Sequence, residues 1–338
     1  MEFGLFTEFQ CPAGMNASTA FDQSMEQMKA AEDLGFDAVW LAEIHFQKDR
    51  SVLSAPLVIA SALAIATRRV KIGIAVQVLP LSHPLRLAED VATVDHLSKG
   101  RLEFGIGRSG LPGHYQGFNI PYSESRDRFL ETLDILRKAW TQERFSHAGQ
   151  FWQFNDVCIM PKPYQKPHPP VMVPTTKSIE SIEFCARRGF IPVHFTPLPG
   201  VVEATRVYVE LAARHGITVP FGARQNLCRF PHVAPSRADF EKRLREYDVD
   251  IYTNFYGPFF PQMPQGDTDT IVEGMRQSCL FVGGSLAEAR DEWRRIYEAA
   301  PCEYVTVIWH WAQVPKDMLL EELDLFMREI VPELEAAA

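Results

Sequence analysis

The sequence predicts an α/β fold, a (β/α)8 TIM barrel with insertions, and three observations support that prediction. Apolar segments rich in β-branched residues alternate with amphipathic helical segments along the chain. Eight such strand segments occur, each followed by a helical pattern, which is typical of a parallel sheet. The length of 338 residues suits a closed eight-stranded barrel. An open, doubly wound sheet is the alternative, but the first strand lacks the glycine-rich turn of a dinucleotide-binding fold.

The first half of the chain contains four of the predicted strands. The strand at 2–7 precedes a helix at 18–34 that starts at a Ser/Thr cap. The following strands are at 37–42, 70–78 and 102–106, and the helices after them are at 55–66, 85–97 and 125–140. Each strand–helix repeat predicts a strand parallel to the one before it.

The second half contains the other four strands and two insertions. The strands are at 171–173, 191–195, 224–233 and 304–309, and the helices are at 178–188, 201–215, 237–247, 286–299 and 316–329. A polar, aromatic segment near 145–154 predicts an inserted hairpin. The segment near 252–270 is rich in Pro, Phe and Tyr and is too long for a plain connection, so we predict a lid-like insertion. We expect residues 1–338 to form one domain.

The composition indicates a globular protein and argues against several classes of partner. With 46% hydrophobic residues, the chain can bury a large core without disulfides. Its net charge of −9 argues against nucleic acid or an anionic membrane as a partner. No apolar run has transmembrane length and no basic, apolar leader opens the chain, so we expect a cytoplasmic protein. The six cysteines form no C-x-x-C pair, which predicts free thiols.

Polar side chains at the ends of the predicted strands mark the candidate site, because these ends meet at one mouth of a barrel. The residues concerned are Glu8, Glu43, His45, Gln77, Arg108, Lys177 and His194. The histidines lie on different strands without carboxylate-rich spacing, so we predict no metal site. A P-loop and a G-x-S-x-G motif are both missing from the sequence.

An anion site is predicted near the start of the helix at 178–188. Ser178 precedes this helix and Ser181 lies one turn later, so hydroxyls and free backbone N–H groups can cradle a phosphate. Arg108 and Arg126, from the preceding unit, can reach the same anion. The alternative is that Ser178 is an ordinary N-cap.

Glu43 and His45 form a second candidate cluster. Imidazole titrates near neutral pH, so this pair is a candidate for acid–base catalysis. The alternative is a buried polar pair that stabilises the barrel mouth. Gln77 ends an apolar strand, and we expect its side chain to point into the mouth.

Several short motifs are concentrated in the first 195 residues. They are FTEF at 6–9, AExHF at 42–46, VLPxxHPxRxAEDV at 78–91, SKGR at 98–101, FGIxR at 104–108 and SR at 125–126. The pair Ser178 and Ser181, ahead of an Ala-Arg-Arg-Gly helix end, completes the set. Together these motifs resemble the bacterial luciferase-like family of flavin-dependent monooxygenases, especially its luciferase α-subunit branch. After residue 195 the resemblance is thin.

The resemblance implies a (β/α)8 barrel that binds reduced FMN at its mouth and uses O2 as co-substrate. The residues implied to hold the phosphate and its surroundings are Arg108, Gly110, Arg126, Lys177, Ser178 and Ser181. The end of the third strand, at Ala75, Val76 and Gln77, would lie under the flavin ring. Relatives carry a non-proline cis peptide there.

The resemblance also implies partners, and the strand ends predict a substrate pocket. Relatives obtain reduced flavin from a separate NAD(P)H-dependent reductase, and they dimerise through the helices that here lie at 55–66 and 85–97. From the strand ends themselves, we expect the pocket to be lined by Glu8, Phe6, Ile44, Leu111 and His194, together with the aromatic insertion at 252–260. Such a lining suits a small apolar or aromatic organic substrate.

One departure from the family changes the expected chemistry. Luciferases have two adjacent histidines after the glutamate of the second strand, the first being a catalytic base, and here that position is Ile44. The reactive cysteine of the fourth-strand loop is replaced by Gly107. We therefore predict oxygenation of an organic substrate, not light emission. The alternatives are a deazaflavin-dependent hydride-transfer enzyme and a non-catalytic flavin-binding protein.

Overall fold

Eight parallel strands close into a barrel in the computed structural model, which describes residues 1–175, 178–256, 265–309 and 314–336. The strands are β1 (Glu2–Thr7), β2 (Ala38–Leu41), β3 (Lys71–Val78), β4 (Leu102–Gly107), β5 (Phe145–Ala148), β6 (Gln153–Val157), β7 (Val171–Thr175), β8 (Ile191–His194), β9 (Asn226–Val233), β10 (Phe281–Gly284) and β11 (Tyr304–Ile308). The barrel order is β9, β11, β1, β2, β3, β4, β7, β8, and β8 pairs again with β9. The predicted (β/α)8 barrel is confirmed.

Helices connect the strands. They are α1 (Ala17–Asp33), α2 (Pro56–Ala66), α3 (Pro84–Leu97), α4 (Pro112–Gly117), α5 (Ser125–Thr141), α6 (Ile179–Arg188), α7 (Leu198–Arg214), α8 (Arg237–Arg243), α9 (Val249–Ile251), α10 (Thr268–Gln277), α11 (Leu286–Ala299), α12 (Lys316–Leu325) and α13 (Val331–Ala336). Within the described ranges, no helix is both long enough and apolar enough to cross a bilayer.

Local sequence signals start and end several of these helices. Ser285 and Glu288 form a reciprocal capping box at the start of α11. Ser178 caps α6, which ends at Gly189 in the left-handed conformation with φ 65°. These caps explain why the sequence alone locates both helices closely.

The strand β10 was not predicted from the sequence, and its pairing explains why it forms. β9 pairs with β11 only through residues Asn226–Arg229. Its carboxyl half extends past that pairing, and β10 hydrogen-bonds to residues Phe230–Val233 on this extension. β10 is therefore added to the sheet beside the barrel wall. Its four residues are too few for a strand pattern to be recognised in the sequence.

The two inserted segments differ in how far the structure describes them. β5 and β6 pair antiparallel and form the hairpin expected near 145–154. The segment near 252–270 is more regular than predicted, because Tyr252–Tyr256 is π-helical and α10 begins at Thr268. The expected lid at residues 257–264 lies outside the described residues.

Trp40 fills the interior of the barrel near its centre and is buried. A Cβ atom on Gly4 of β1 would lie 2.2 Å from the indole Nε1, and one on Gly73 of β3 would lie 2.0 Å from Cε3. Both neighbouring strands therefore need glycine beside this ring. Trp40 clusters with Met172 of β7 and forms the floor beneath the barrel mouth.

A buried ionic cluster anchors the carboxyl half of β9. His232 Nδ1 lies 2.9 Å from Glu322 Oε2, and its Nε2 lies 2.8 Å from Asp248 Oδ2. Burial lowers the pKa of His232, but the charges of Glu322 and Asp248 outweigh it and raise the pKa to about 10. Arg243 also binds Glu322, at 2.5 Å. The imidazolium thus ties β9 to α12 and to the helical segment Leu244–Asp248.

We expect His232→Gln to lower the free energy of unfolding by about 3–5 kcal/mol, because it leaves the buried Asp248 carboxylate without its cation and Glu322 with Arg243 alone. Since the folded pKa is raised from 6.5 to about 10, the native contribution is complete below pH 6.5 and is lost as the pH rises to 10. Urea unfolding at pH 6.5 and pH 9.5 should therefore show a smaller mutational effect at the higher pH. The control is His215→Gln, a partly exposed histidine. An equal effect of H232Q at both pH values contradicts the assignment.

Candidate functional site

An apolar cavity of about 320 Å³ opens at the carboxyl ends of the barrel strands. All eight barrel strands contribute to its wall. Apolar side chains predominate in it, among them Phe6, Trp40, Ile44, Leu111, Met172, Phe195 and Ile308. Such a lining binds apolar groups and keeps water out.

A second cavity, of about 480 Å³, lies beside the first and has a polar wall. Arg108, Arg126, Glu180 and Ser181 line it. The two cavities share four lining residues, which are Val76, Ser109, Gly110 and Pro174. One ligand with an apolar part and an anionic part can therefore occupy both cavities.

Three elements position the cationic and hydroxyl groups of the second cavity. Arg108 follows β4, and its Nη1 donates to Ser125 Oγ at 3.4 Å. Arg126 lies in the first turn of α5 and pairs with Glu180 of α6. The structure thus brings the predicted arginines and Ser181 to one cavity.

Ser178 has the N-cap role that the sequence offered as one alternative, and it lines neither cavity, so its phosphate role stays a prediction. It is the N-cap of α6, and its Oγ accepts a hydrogen bond from Ser181 N at 3.2 Å. Its hydroxyl also lies 2.7 Å from the hydroxyl of Ser181, which faces the cavity. Lys177, the other predicted residue of this turn, lies outside the described residues.

The wall between the cavities is the end of β3. The peptide bond between Ala75 and Val76 is a non-proline cis bond, as the resemblance implies. Ala75 and Val76 both line the apolar cavity, and Val76 also lines the second. Gly105 of β4 allows the close approach of these strands, since a Cβ there would lie 2.0 Å from Ile74 O.

The Glu43 carboxylate joins the end of β2 to the end of β3. Its Oε2 accepts hydrogen bonds from Val78 N and Gln77 Nε2, both at 2.6 Å. Its Oε1 lies 2.8 Å from His45 Nε2, which donates to it. Burial raises the pKa of the Glu43 carboxyl, although these three hydrogen bonds oppose the shift. Glu43 itself lines the apolar cavity.

His45 and Gln77 do not lie where the sequence places them. Neither side chain lines either cavity, and both are directed to the Glu43 carboxylate. The buried carboxylate needs hydrogen-bond donors, and these two side chains provide them. The cofactor contact of Gln77 and the catalytic role of His45 therefore stay predictions, and in the structure both residues act on Glu43.

His194 is oriented differently from its neighbours, although the sequence predicts it as a residue of the substrate pocket. Its neighbours on the chain, Val193 and Phe195, line the apolar cavity, whereas His194 does not. Its side chain is buried on the other face of the strand, with Nε2 2.7 Å from Gln225 Oε1. Burial lowers the pKa of His194 to about 4, so the ring is neutral.

Glu8 lines the apolar cavity as predicted, and its partner was missed. Arg50 Nη2 lies 2.6 Å from Glu8 Oε2 and 2.9 Å from Oε1. The Arg50 guanidinium also lies over the ring of Phe255, which lines the cavity. Arg50 follows no strand directly, so the pattern of strand ends did not reveal it.

His114 is a second residue that the sequence did not reveal. It lies on α4, is buried, and lines the apolar cavity. Its Nε2 accepts a hydrogen bond from His45 N at 3.3 Å. Burial, together with the nearby His45, lowers the pKa of His114 to about 4. The helix α4 has only six residues, too few for a periodic pattern to predict it.

The chemistry of these groups suits an organic phosphate. Two guanidinium groups and a serine hydroxyl in the second cavity match an anion. Among the side chains that the structure describes, no group of three His, Cys, Asp or Glu residues can hold a metal ion.

Curated relatives of the chain include several named monooxygenases. The alkanal monooxygenase alpha chain of the Kryptophanaron alfredi symbiont is 32% identical over 64% of this chain and 60% of its own length. Limonene 1,2-monooxygenase of Rhodococcus erythropolis is 25% identical over 98% of this chain and 86% of its own. The oxygenase component of the flavin-dependent trigonelline monooxygenase of Acinetobacter baylyi is 28% identical, with 77% and 72% covered. The chain spans about half the length of the first two relatives it matches.

Solved structures share the fold of the chain. The monooxygenase RslO1 from Streptomyces bottropensis has a TM-score of 0.84 at 24% identity, with 98% of this chain and 99% of that chain covered. The oxygenating constituent of 3,6-diketocamphane monooxygenase from Pseudomonas putida, solved in complex with FMN, has a TM-score of 0.84 at 21% identity, covering 98% of each chain.

A match to one protein family extends over most of the chain. The sequence model described as luciferase-like monooxygenase matches residues 1–301, which includes both cavities except for the part contributed by β11. Together with the barrel and the motifs at its strand ends, this match establishes that the chain belongs to the luciferase-like monooxygenase family.

Proposed function

We propose that the chain is a flavin-dependent monooxygenase that binds reduced FMN across the two cavities and oxygenates a small apolar or aromatic compound with O2. The observation that carries this proposal is that an apolar cavity and an arginine-lined one are adjacent and share four lining residues. FMN has a planar ring at one end and a phosphate at the other, which matches this pair of surfaces. Reduced flavin supplies the electrons that activate O2 for transfer of one oxygen atom to the substrate.

The residues that line the two cavities fit the cofactor at both ends. Arg108, Arg126 and Ser181 would hold the phosphate, with Ser178 orienting Ser181. Ala75 and Val76 would lie against the ring, and Gly110 at the junction. Lys177 belongs to the same proposed phosphate site. The FMN complex of the diketocamphane enzyme, which shares the fold, supports this choice of cofactor.

In this proposal, the chain's own residues exclude water and orient the reactants. Phe6, Ile44 and Phe195 would form apolar walls around the place where the flavin ring and the substrate meet. Glu43 presents a carboxylate to that space with its orientation set by three hydrogen bonds. His45 acts as a positioning residue for Glu43, since its ring does not reach the cavity.

The reduced flavin would come from a separate NAD(P)H-dependent reductase. The sequence contains no glycine-rich dinucleotide-binding motif after its first strand. The relative from Acinetobacter baylyi is named as the oxygenase component of its monooxygenase, which supports a division between two proteins. A cytoplasmic location, where such reductases find NAD(P)H, stays a prediction.

We further propose that two copies of the chain form a homodimer through α2 and α3. The outer face of α2 is apolar, with Val58 67% and Ile65 72% exposed. Leu97 of α3 adds to it at 38% exposed. The other exposed positions of α2 are alanines, so nothing charged interrupts this face. A flat apolar surface of this kind is typical of an isologous contact.

Replacing Arg108 with Ala should weaken FMN binding about 10- to 100-fold, because a charge-assisted hydrogen bond to the phosphate is lost. Titration of the protein into FMN, followed by flavin fluorescence, measures the effect. The matched control is Arg128→Ala in α5, because Arg128 pairs with Glu124 and lines neither cavity. If R108A binds FMN as tightly as R128A, the phosphate lies elsewhere.

The oxygenation itself is tested with ¹⁸O2. The protein is mixed with FMN, NADPH, a general flavin reductase and a panel of aldehydes, ketones, terpenes and aromatic compounds. We expect mass spectrometry to detect a product that carries one ¹⁸O atom and depends on the protein. Turnover with a reduced deazaflavin in the absence of O2 supports hydride transfer instead. FMN binding without any product supports a non-catalytic flavin carrier.

The dimer is tested with Ile65→Glu, which places a charge on the apolar face of α2. We expect light scattering after gel filtration to give twice the chain mass of 38.4 kDa for the native protein and the single mass for the variant. Phe221→Glu is the control, since Phe221 is exposed but lies outside α2 and α3. A native monomer, or loss of the dimer in both variants, contradicts the proposed interface.

A further inference from the structure

Ser109 lies at the junction of the two cavities and lines both of them. It follows Arg108 directly and has a left-handed backbone with φ 57°. This conformation turns its side chain toward the start of α4, where Oγ accepts a hydrogen bond from Leu111 N at 3.1 Å. The first lone pair of the hydroxyl is therefore occupied.

His114 occupies the second lone pair, and its tautomer follows from its other contact. Because the backbone N–H of His45 donates to His114 Nε2, that nitrogen carries no proton. The proton of the neutral ring is then on Nδ1, which lies 3.3 Å from Ser109 Oγ and donates to it. His114 cannot take the serine proton from this side, so the pair is not a nucleophilic dyad.

With both lone pairs engaged, the O–H of Ser109 remains as a donor. Within the described ranges it has no protein acceptor, since both of its recorded hydrogen bonds are ones in which the oxygen accepts. A donor held in this way at the wall of a cavity is suited to a ligand oxygen.

We propose that Ser109 donates a hydrogen bond to the polyol linker of bound FMN and that His114 is its positioning residue. This inference rests on the proposed function, because it takes FMN as the ligand of both cavities. With the ring in the apolar cavity and the phosphate near Arg108, the linker crosses at the shared residues. The linker is the part of FMN that carries several hydroxyl oxygens able to accept.

The test compares FMN, riboflavin and lumiflavin, of which lumiflavin has the ring but no polyol. Ser109→Ala should weaken binding of FMN and riboflavin about 5- to 30-fold and leave lumiflavin within about twofold of native. Ser109→Gly also lacks the hydroxyl and suits the left-handed backbone, so it should give the same pattern. Asn119→Gly, at another left-handed residue in the following loop with φ 54°, is the control for relief of backbone strain.

The role of His114 is tested by His114→Asn and His114→Leu. Asparagine places an amide N–H near the position of Nδ1 and should preserve the preference for riboflavin over lumiflavin, whereas leucine should abolish it. Circular dichroism and binding of lumiflavin report whether each variant is folded. An unchanged preference in H114L overturns the positioning role.

The possible failures can be told apart. If both Ser109 variants bind FMN with the affinity of the native protein, the inference is overturned and the proposed function still stands. Equal weakening of lumiflavin and riboflavin places the contact on the ring and also overturns it. Failure of the native protein to bind any of the three flavins overturns the proposed function and the inference with it.

Discussion

The buried carboxylate of Glu43 is the interaction on which the barrel mouth depends. Because this carboxylate is buried, its oxygens need hydrogen-bond donors. β3 and the loop after β2 supply them. This requirement fixes the end of β3 against β2. The same strand end separates the apolar cavity from the arginine-lined one, through Val76. The shape of both cavities therefore depends on how one carboxylate is satisfied.

Sequence alone predicted the barrel well because each barrel strand is apolar and bounded by turns or capped helices. The prediction from sequence failed where a short element depends on a pairing partner. β10 forms because β9 extends beyond its pairing with β11. In the site, residue types were easier to predict than orientations. His194 and Gln77 were identified as polar residues at strand ends, but successive side chains on a strand point to opposite faces. Arg50 and His114 lie in a loop and a one-turn helix, where no period exists to reveal them.

The two cavities would divide the requirements of the proposed flavin oxygenation between different parts of the barrel. The arginine-lined cavity carries charged side chains, which suits binding of a phosphate. The apolar cavity offers few polar groups, which suits a reaction that water would divert. Ile44 lines the apolar cavity. Its presence in place of a histidine removes a proton acceptor from the wall and extends the apolar surface that a substrate meets.

The Trp40 ring also sets a limit on how this protein can change. Two glycines on the adjacent strands make room for the indole, so the three positions can vary only together. The depth of the apolar cavity is consequently resistant to single substitutions. A longer or shorter substrate has to be accommodated at the open end of the cavity, in the loops that follow the strands. Those loops carry less of the packing, and new specificities can arise there without rebuilding the core.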